Sequence, residues 1–229
     1  MDIEILRRKL QEINNDGYVV SKRKGNTGIG YTLESLLGID ENNIQVPDLG
    51  SIELKSKRIT AHTPVTMFTF NKGVWQIKQK EVIETYGYTD TTGRKALYCT
   101  VDTKPNQQGL YSTITNTSLT MRHTNGTHIA EWQADHIGET LRRKMPALVL
   151  VQAETRVNSE EKEEFHFNKA YLLSKPDVVQ LLAMIKTNDV IIDVRMHINK
   201  RGSVRNHGTA FRMNESKLHH CFTYKEELI

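Results

Sequence analysis

The chain has 229 residues, of which 38% are hydrophobic and 25% are charged, and its formal net charge is +4. This length allows one sizeable hydrophobic core or two small lobes, and the composition excludes wholesale disorder. No apolar run is longer than Ala147 to Val151, which is too short for a membrane span, and the charged first residues do not resemble a signal peptide. We therefore expect a folded protein without a membrane partner.

The two cysteines, Cys99 and Cys221, lie far apart and match no metal-binding or redox spacing. We expect free thiols in a reducing cytoplasm. The positive charges occur in clusters, including residues 22–24, 55–58 and 142–144. Such clusters are compatible with solvated surface and with phosphate contacts, so they do not by themselves identify a partner.

Apolar periodicity predicts the elements of the first half of the chain. Two amphipathic helices are predicted at residues 3–15 and from Ile29 to Leu37, the second ended by Gly38. A strand follows at residues 51–55, where apolar and charged side chains alternate. A second strand is predicted at residues 65–70, and a helix at residues 77–86.

The second half continues the mixture of strands and helices. The pair Asn125-Gly126 predicts a hairpin within residues 117–132. Strands are predicted at residues 147–151, 165–173 and 190–198, and a helix begins after Pro176-Asp177. Because strands and helices alternate along the chain, the predicted class is mixed α/β.

Asp48, Glu53 and Lys55 have the spacing of a metal-dependent nuclease centre. Two carboxylates suit a hard divalent cation, which accepts few protein ligands and leaves positions for water and phosphate. Pro47 predicts a turn at Asp48, and Glu53 and Lys55 alternate with apolar residues in the strand predicted next. Lys55 could hold the attacking water and stabilise the negative charge that develops on phosphorus.

The main alternative is a surface ion pair between Glu53 and Lys55 without a catalytic role. A comparable string, Glu154, Glu160 and Lys162, lies in a run of charges between two predicted strands, where a solvated loop is the better interpretation. The turn followed by an alternating strand distinguishes the Asp48 set from this second string.

Several segments resemble the MvaI/BcnI group of restriction endonucleases, which is related to the MutH mismatch-repair nickase within the PD-(D/E)XK superfamily. The resemblance rests on five segments in the same order: residues 22–30, the helix with Glu34, residues 47–55, residues 165–171 and residues 207–212. It implies a PD-(D/E)XK fold with a mixed central sheet flanked by helices. It also implies one nuclease domain over residues 1–229, or two lobes around a DNA cleft. The catalytic lobe would include residues 20–90 and the DNA-reading part residues 190–229.

The resemblance implies a monomeric, Mg²⁺-dependent type II enzyme, in which Mn²⁺ substitutes, that cuts one strand of double-stranded DNA at a time. Asp48, Glu53 and Lys55 match the catalytic positions of the family, and Glu34 matches the helix glutamate that supports the metal site. The predicted metal ligands are Asp48, Glu53 and Leu54. A cognate cytosine methyltransferase would act on the same DNA site without necessarily binding this chain.

The predicted DNA contacts follow the same resemblance. Residues 205–212 lie where family members send a loop onto the bases, and arginine or histidine there suits a GC-rich CCNGG-type site. The BcnI branch has histidines where this chain has Thr69 and Ala210, which favours the MvaI branch and its central A·T pair, CCWGG over CCSGG. The full predicted set is Lys22, Arg23, Lys24, Lys57, Arg58, Thr69, Arg205, His207, Thr209, Ala210 and Arg212.

Two other functions remain open at this point. The chain could be a MutH-like repair nickase recruited by a partner protein. It could also be a sequence-specific DNA-binding module whose carboxylates are structural. Partner-independent double-strand cleavage would argue against the first, and metal-dependent cleavage of any kind would argue against the second.

Overall fold

The computed structural model describes residues 2–39, 52–61, 64–70 and 73–229. The chain divides into two compact units, each built from segments that are distant in the sequence. Unit 1 contains residues 1–63, 142–176 and 222–229, and unit 2 contains residues 64–141 and 177–221. The predicted catalytic lobe, residues 20–90, is therefore shared between the two units.

Unit 1 is built on a five-stranded sheet in which only one described strand pair is parallel. The order is β1-β10-β9-β2, and β13 also pairs with β10. The strand β2 runs parallel to β9, and the other pairs are antiparallel. The predicted mixed sheet is thus confirmed. Its strands are β1 (Val19–Val20), β2 (Ile52–Arg58), β9 (Ala147–Val157), β10 (Glu163–Pro176) and β13 (Phe222–Glu227).

Two helices cover one face of this sheet, α1 (Ile3–Asn15) and α2 (Gly28–Leu37). Both were predicted, and Gly38 ends α2 in the left-handed conformation, with a φ of 73°, that glycine adopts without strain. Their apolar faces share one core with the sheet. The core includes Leu6, Leu10, Ile13, Leu33, Leu37, Ile52, Leu54, Val149, Val151, Phe165 and Phe167.

Unit 2 contains a five-stranded antiparallel sheet and a three-stranded sheet. The larger sheet has the order β3-β12-β11-β5-β4, and the smaller one the order β6-β7-β8. The predicted hairpin at Asn125-Gly126 joins β7 to β8. The strands are β3 (Val65–Phe70), β4 (Tyr88–Thr89), β5 (Lys95–Val101), β6 (Leu110–Ile114), β7 (Ser118–His123), β8 (His128–Gln133), β11 (Val190–Ile198) and β12 (Val204–Met213).

One face of the larger sheet forms an aromatic core in unit 2. Phe211 stacks on Phe68 at 5.2 Å between ring centroids and meets Trp132 edge to face at 5.8 Å. The remaining helices are α3 (Gln79–Tyr86), α5 (Val178–Lys186) and α6 (Glu215–Leu218), while α4 (Ala134–Lys144) runs from unit 2 into unit 1. In the part of the chain that the structure describes, no helix has the length and apolar character needed to cross a bilayer.

The beginning of α5 depends on Asp177, whose side chain accepts a hydrogen bond of 3.0 Å from the backbone amide of Gln180. We expect Asp177→Ala to lower the free energy of unfolding by about 1 kcal/mol, because the first turn of the helix then loses its capping acceptor. Urea unfolding followed by circular dichroism measures the change. Val179→Ala is the matched control, since Val179 lies in the same turn and is 80% exposed. Equal unfolding midpoints for the two variants would contradict this role.

Candidate active site and nucleic-acid interface

Glu53 and Lys55 project from the same face of β2, as their alternation with Ile52 and Leu54 predicts. The Nζ atom of Lys55 donates a hydrogen bond of 2.8 Å to Oε1 of Glu53. Their side chains are 21% and 20% exposed, respectively. The similar pair Glu160 and Lys162 is 69% and 58% exposed and lies by the turn between β9 and β10. The two pairs thus share a geometry and differ in burial.

A second lysine, Lys144, belongs to the same electrostatic environment. Burial lowers the pKa of Lys144, the charges of Arg143 and Lys55 act in the same direction, and Glu53 opposes them. Sequence reasoning recorded Lys144 only as a member of a basic cluster. Its proximity to Glu53 follows from the position where α4 ends, which no local pattern indicates.

Glu34 lies on α2, beside the part of β2 that follows the Glu53–Lys55 pair. A Cβ atom placed on Gly30, one turn before Glu34, would be 3.9 Å from Oε1 of Glu34 and 3.7 Å from Oγ of Ser56. The carboxylate of Glu34 is therefore near β2, although it arrives from the helix-covered side of the sheet. Asp48, the remaining predicted catalytic residue, lies outside the described residues.

The oxygen donors at β2 fit a hard divalent cation. The site offers the Glu53 carboxylate, and Leu54, whose side chain is buried in the core, could contribute only its backbone carbonyl. Such a cation needs only one or two carboxylates because it retains several water ligands. Among the described residues, no group of three His, Cys, Asp or Glu side chains could hold a metal ion.

The predicted phosphate contacts of unit 1 lie around residues 21–27, which we call the basic loop. Lys22 and Lys24 are exposed there, and the guanidinium group of Arg23 stacks on the ring of Tyr31 at 3.8 Å. Lys57 is buried in β2, at 9% exposure. Arg58 ends β2 and faces the basic loop, where its Nη2 atom donates to the carbonyl of Gly25.

In unit 2, the face of the larger sheet opposite Phe211 forms a polar concavity of about 900 Å³. A row of paired residues crosses four strands of this face, namely Thr100, Asp193, Ala210 and Thr69. Thr69 and Ala210, which the sequence singles out together, are thus direct partners on adjacent strands. The concavity is lined by Thr66, Thr69, Tyr98, Cys99, Thr100, Asp193, Arg195, His207, Gly208, Ala210 and Arg212.

Asp193 organises the charges of this concavity. Its Oδ2 atom accepts hydrogen bonds from Nε of Arg195 at 2.9 Å and from Nη1 of Arg212 at 2.7 Å. Nη2 of Arg212 donates to the carbonyl of Pro64 at 2.7 Å, and Nε of Arg212 is buried. The side chain of Arg212 is only 19% exposed, whereas that of Arg195 is 56% exposed. Arg195 is therefore the more accessible guanidinium group.

Sequence reasoning missed Asp193 and Arg195, although a signal was present. Both alternate with the apolar residues Ile192, Val194 and Met196 in a predicted strand. Two charged residues on one face of an otherwise apolar strand indicate a polar surface beside the core. Because α/β proteins contain many such pairs at ordinary surfaces, this signal becomes specific only when the neighbouring strands are known.

The expectation of a loop at residues 205–212 is wrong, because these residues belong to β12, which pairs with β11 on one side and, from Thr209 to Met213, with β3 on the other. A register shift against β11 adds one residue to β12 between Asn206 and Thr209, which disturbs the alternation and obscures the strand in the sequence. Arg205 and His207 are exposed on β12, and the ring of His207 lies 5.4 Å from that of His197. The side chain of Thr209 is fully buried and does not line the concavity.

Cys99 and Cys221 are both free thiols, as expected from the sequence. Burial raises the pKa of each thiol to about 12 from the usual value of 9.0. A rise from 9.0 to about 12 lowers the reactive thiolate population by about 10³, since 12 − 9 = 3 pH units. We expect iodoacetamide at pH 8 to label the native protein about 10³ times more slowly than the unfolded chain. Mass spectrometry measures the labelling, and rapid modification of Cys99 in the native protein would contradict this environment.

Comparison with known proteins adds the following findings. The model of the MvaI/BcnI restriction endonuclease family matches residues 7–222. A solved structure described as a restriction endonuclease MvaI-cognate DNA substrate complex matches with a TM-score of 0.78 and 26% identity, covering 100% of both chains. Restriction endonuclease MvaI in the absence of DNA matches with a TM-score of 0.52 and 24% identity, covering 100% of this chain and 99% of the other. No curated protein sequence matches significantly.

Proposed function

We propose that this chain, which belongs to the MvaI/BcnI restriction endonuclease family and is therefore a site-specific DNA endonuclease, hydrolyses both strands of a short CCNGG-type site. We infer that it cuts one strand at a time as a monomer. The observation that supports the assignment most directly is the half-buried Glu53–Lys55 pair, whose atoms lie 2.8 Å apart on one face of β2. Membership of this family is incompatible with the alternative of a non-catalytic DNA-binding module.

Restriction endonucleases generally use divalent metal ions, and we assign Mg²⁺ to this enzyme, with Mn²⁺ as a substitute. The proposed ligands are Asp48, Glu53 and the backbone carbonyl of Leu54, with Glu34 as a supporting carboxylate. When bound, the cation would supply Lewis-acid stabilisation of the phosphodiester and increase the acidity of a bound water molecule. Hard oxygen ligands of this kind favour Mg²⁺ over softer metals.

The role of Lys55 in hydrolysis follows from its position beside Glu53. Its ammonium group can orient the attacking water by a hydrogen bond and stabilise the negative charge that grows on the phosphoryl oxygens. The water oxygen forms a bond to phosphorus, and the bond from phosphorus to the 3′ oxygen breaks. The leaving oxygen takes up a proton, which gives 5′-phosphate and 3′-hydroxyl ends without a covalent enzyme intermediate.

The proposed DNA contacts fall into two classes. Lys22 and Lys24 are exposed cations of the basic loop and suit phosphate groups, which carry no sequence information. The polar concavity of unit 2 suits base edges. There, Arg195 can pair with O6 and N7 of guanine, and a carboxylate such as Asp193 can accept a hydrogen bond from N4 of cytosine.

The preference for CCWGG over CCSGG is supported by the pairing of Thr69 with Ala210. These residues are distant in the sequence and adjacent on the sheet, so they can approach the same base pair. A methyl group from either residue suits the apolar methyl group of thymine, whereas neither residue offers a cationic donor for guanine. A central A·T pair is therefore the better match.

Digestion of DNA of known sequence by the purified enzyme tests this proposal. With Mg²⁺ we expect double-strand breaks at CCWGG sites, fewer or none at CCSGG sites, and no cleavage in the presence of a chelator. Mapping the ends identifies the cut position. Products that remain singly nicked until another protein is added would support the MutH-like alternative. Cleavage without regard to sequence would overturn the assigned site.

The biological setting that we propose is a bacterial restriction system in the cytoplasm, where the free thiols of Cys99 and Cys221 would stay reduced. A cognate cytosine methyltransferase would modify the same DNA site and so protect the host DNA. That enzyme need not bind this chain, since both proteins can recognise the DNA independently.

A further inference from the structure

Hydrogen bonds anchor the basic loop at both ends, and at the end next to α2 the amide of Gly28 donates to the carbonyl of Gly25 at 3.0 Å. The amide of Ser21 donates to the carbonyl of Glu163 at 2.8 Å, and the amide of Lys22 donates to Oγ1 of Thr32 at 3.0 Å. At its other end, a Cβ atom on Gly28 would be only 2.3 Å from the carbonyl oxygen of Arg23. The loop therefore folds closely over the first turn of α2.

Arg58 ties the middle of this loop to the sheet. Its Nε and Nη2 atoms donate to the two carboxylate oxygens of Glu163 at 2.6 and 2.8 Å. The same guanidinium group donates to the carbonyls of Gly25 and Asn26 at 3.3 and 3.4 Å. It also lies over the ring of Phe165, 5.2 Å from the centroid.

These contacts occupy four of the five N–H donors of Arg58. The side chain is 19% exposed, and the two-point pairing with Glu163 fixes the plane of the guanidinium group. A two-point contact between Arg58 and a phosphate would require the guanidinium group to give up at least one of these acceptors. Lys22 and Lys24, in contrast, are exposed on the loop that Arg58 supports.

We propose that Arg58 and Glu163 form a latch that holds the basic loop in its DNA-binding conformation. Arg58 is then a positioning residue and does not make the direct contact with DNA that was expected from the sequence. Glu163, although acidic, promotes the binding of the negatively charged DNA. This inference rests on the proposed function of the basic loop as a phosphate contact. A loop that is ordered before binding loses less conformational entropy when it meets DNA.

The latch and a direct contact between Arg58 and phosphate predict opposite changes in DNA affinity when the charge of Glu163 is removed. If Arg58 contacted phosphate directly, Glu163 would compete with the DNA, and its neutralisation would strengthen binding. If Arg58 positions the loop, neutralisation weakens its hold on Gly25 and Asn26, and DNA binding becomes weaker although a negative charge has been removed.

The test compares Glu163→Gln with Glu164→Gln in the full chain. Glu164 is the adjacent residue of β10 and pairs with Arg156 at 2.7 Å and with Asn158, neither of which belongs to the loop. Both variants remove one negative charge from the same strand, so long-range electrostatic effects are matched. Binding of a duplex with a CCWGG site is measured over a range of salt concentrations without divalent metal.

We expect Glu163→Gln to raise the Kd about tenfold, equivalent to the cost of ordering about one loop residue on binding. The slope of log K against log salt should stay unchanged, because Lys22 and Lys24 still contact phosphate once the loop has ordered on the DNA. With Mg²⁺, KM should rise while kcat at saturating DNA stays unchanged. Glu164→Gln should bind as the unmodified protein or slightly more tightly.

Hydrogen exchange measured without DNA provides a second readout, which is independent of DNA binding. We expect faster exchange of the amides at residues 22–27 in Glu163→Gln and unchanged exchange there in Glu164→Gln. Binding by Glu163→Gln that equals or exceeds binding by Glu164→Gln would overturn the latch, as would unchanged loop exchange.

The double variant Lys22→Ala/Lys24→Ala separates failure of the latch from failure of the loop's proposed function. If this variant binds more weakly but Glu163→Gln does not, only the latch is wrong. If the double variant keeps the affinity and the salt slope of the unmodified protein, the loop is not a phosphate contact, and both proposals are wrong.

Discussion

Lys55→Ala should lower the rate of DNA cleavage by about 10²–10³, the usual effect of removing one group that stabilises charge in the transition state. Nζ of Lys55 lies 2.8 Å from Oε1 of Glu53, next to the proposed cation ligands. Its removal leaves the attacking water without an ammonium partner. Single-turnover cleavage of a CCWGG duplex with Mg²⁺ measures the rate, and a gel-shift assay without Mg²⁺ should show that sequence-specific binding is retained.

The chain provides a matched control for this experiment. Lys162 pairs with Glu160 at 2.7 Å, and this pair has the same two-residue spacing as Glu53 and Lys55. Because it is largely exposed by a turn, Lys162→Ala should cleave at the rate of the unmodified enzyme. Equal cleavage rates for Lys55→Ala and Lys162→Ala would remove Lys55 from the mechanism and leave the Glu53–Lys55 pair as an ordinary ion pair.

Arg195→Ala should weaken sequence-specific binding by about 1–3 kcal/mol, the typical contribution of one two-point contact between a side chain and a base. Among the described residues, Arg195 is held by Asp193 alone, through Nε. Its terminal amino groups therefore remain for guanine. Competition binding against DNA that lacks the site should show that non-specific affinity changes little.

Arg94→Ala is the corresponding control in unit 2. Arg94 also donates from Nε to an aspartate, Asp90, at 2.9 Å, but this pair lies in the turn between β4 and β5 and does not line the concavity. Both substitutions remove one positive charge, so a difference between them reports the position of the side chain. An equal loss of specific and non-specific binding in Arg195→Ala would indicate a phosphate contact instead.

The Asp193 cluster also changes how Arg212 is interpreted. Sequence reasoning placed Arg212 among the base contacts, yet its guanidinium group joins Asp193 to the carbonyl of Pro64. We interpret Arg212 as the residue that fixes Asp193, and Asp193 as the residue that orients Arg195. A carboxylate with two arginine partners can thereby present one guanidinium group in a defined plane.

Local patterns in the sequence were sufficient for most elements that surround the candidate active site. The periodicity of residues 3–15 and 29–37 predicted α1 and α2, because a helix must turn its apolar stripe towards a core. Alternation in β2 placed Glu53 and Lys55 on one face without knowledge of any neighbour. These features depend on residues within a few positions of each other, so they can be predicted from the sequence alone.

Pairing between distant segments decided the remaining features. Thr69 and Ala210 are partners on neighbouring strands about 5 Å apart. Arg58 of β2 reaches Glu163 of β10 although β9 lies between these strands in the sheet, and Asp193 of β11 accepts hydrogen bonds from Arg195 of the same strand and from Arg212 of β12. The register of such pairs depends on bulges and on the packing of whole sheet faces, which residue spacing does not encode locally. The sequence was therefore sufficient to indicate the chemistry of individual side chains. The partners that orient these side chains were determined only by the tertiary structure.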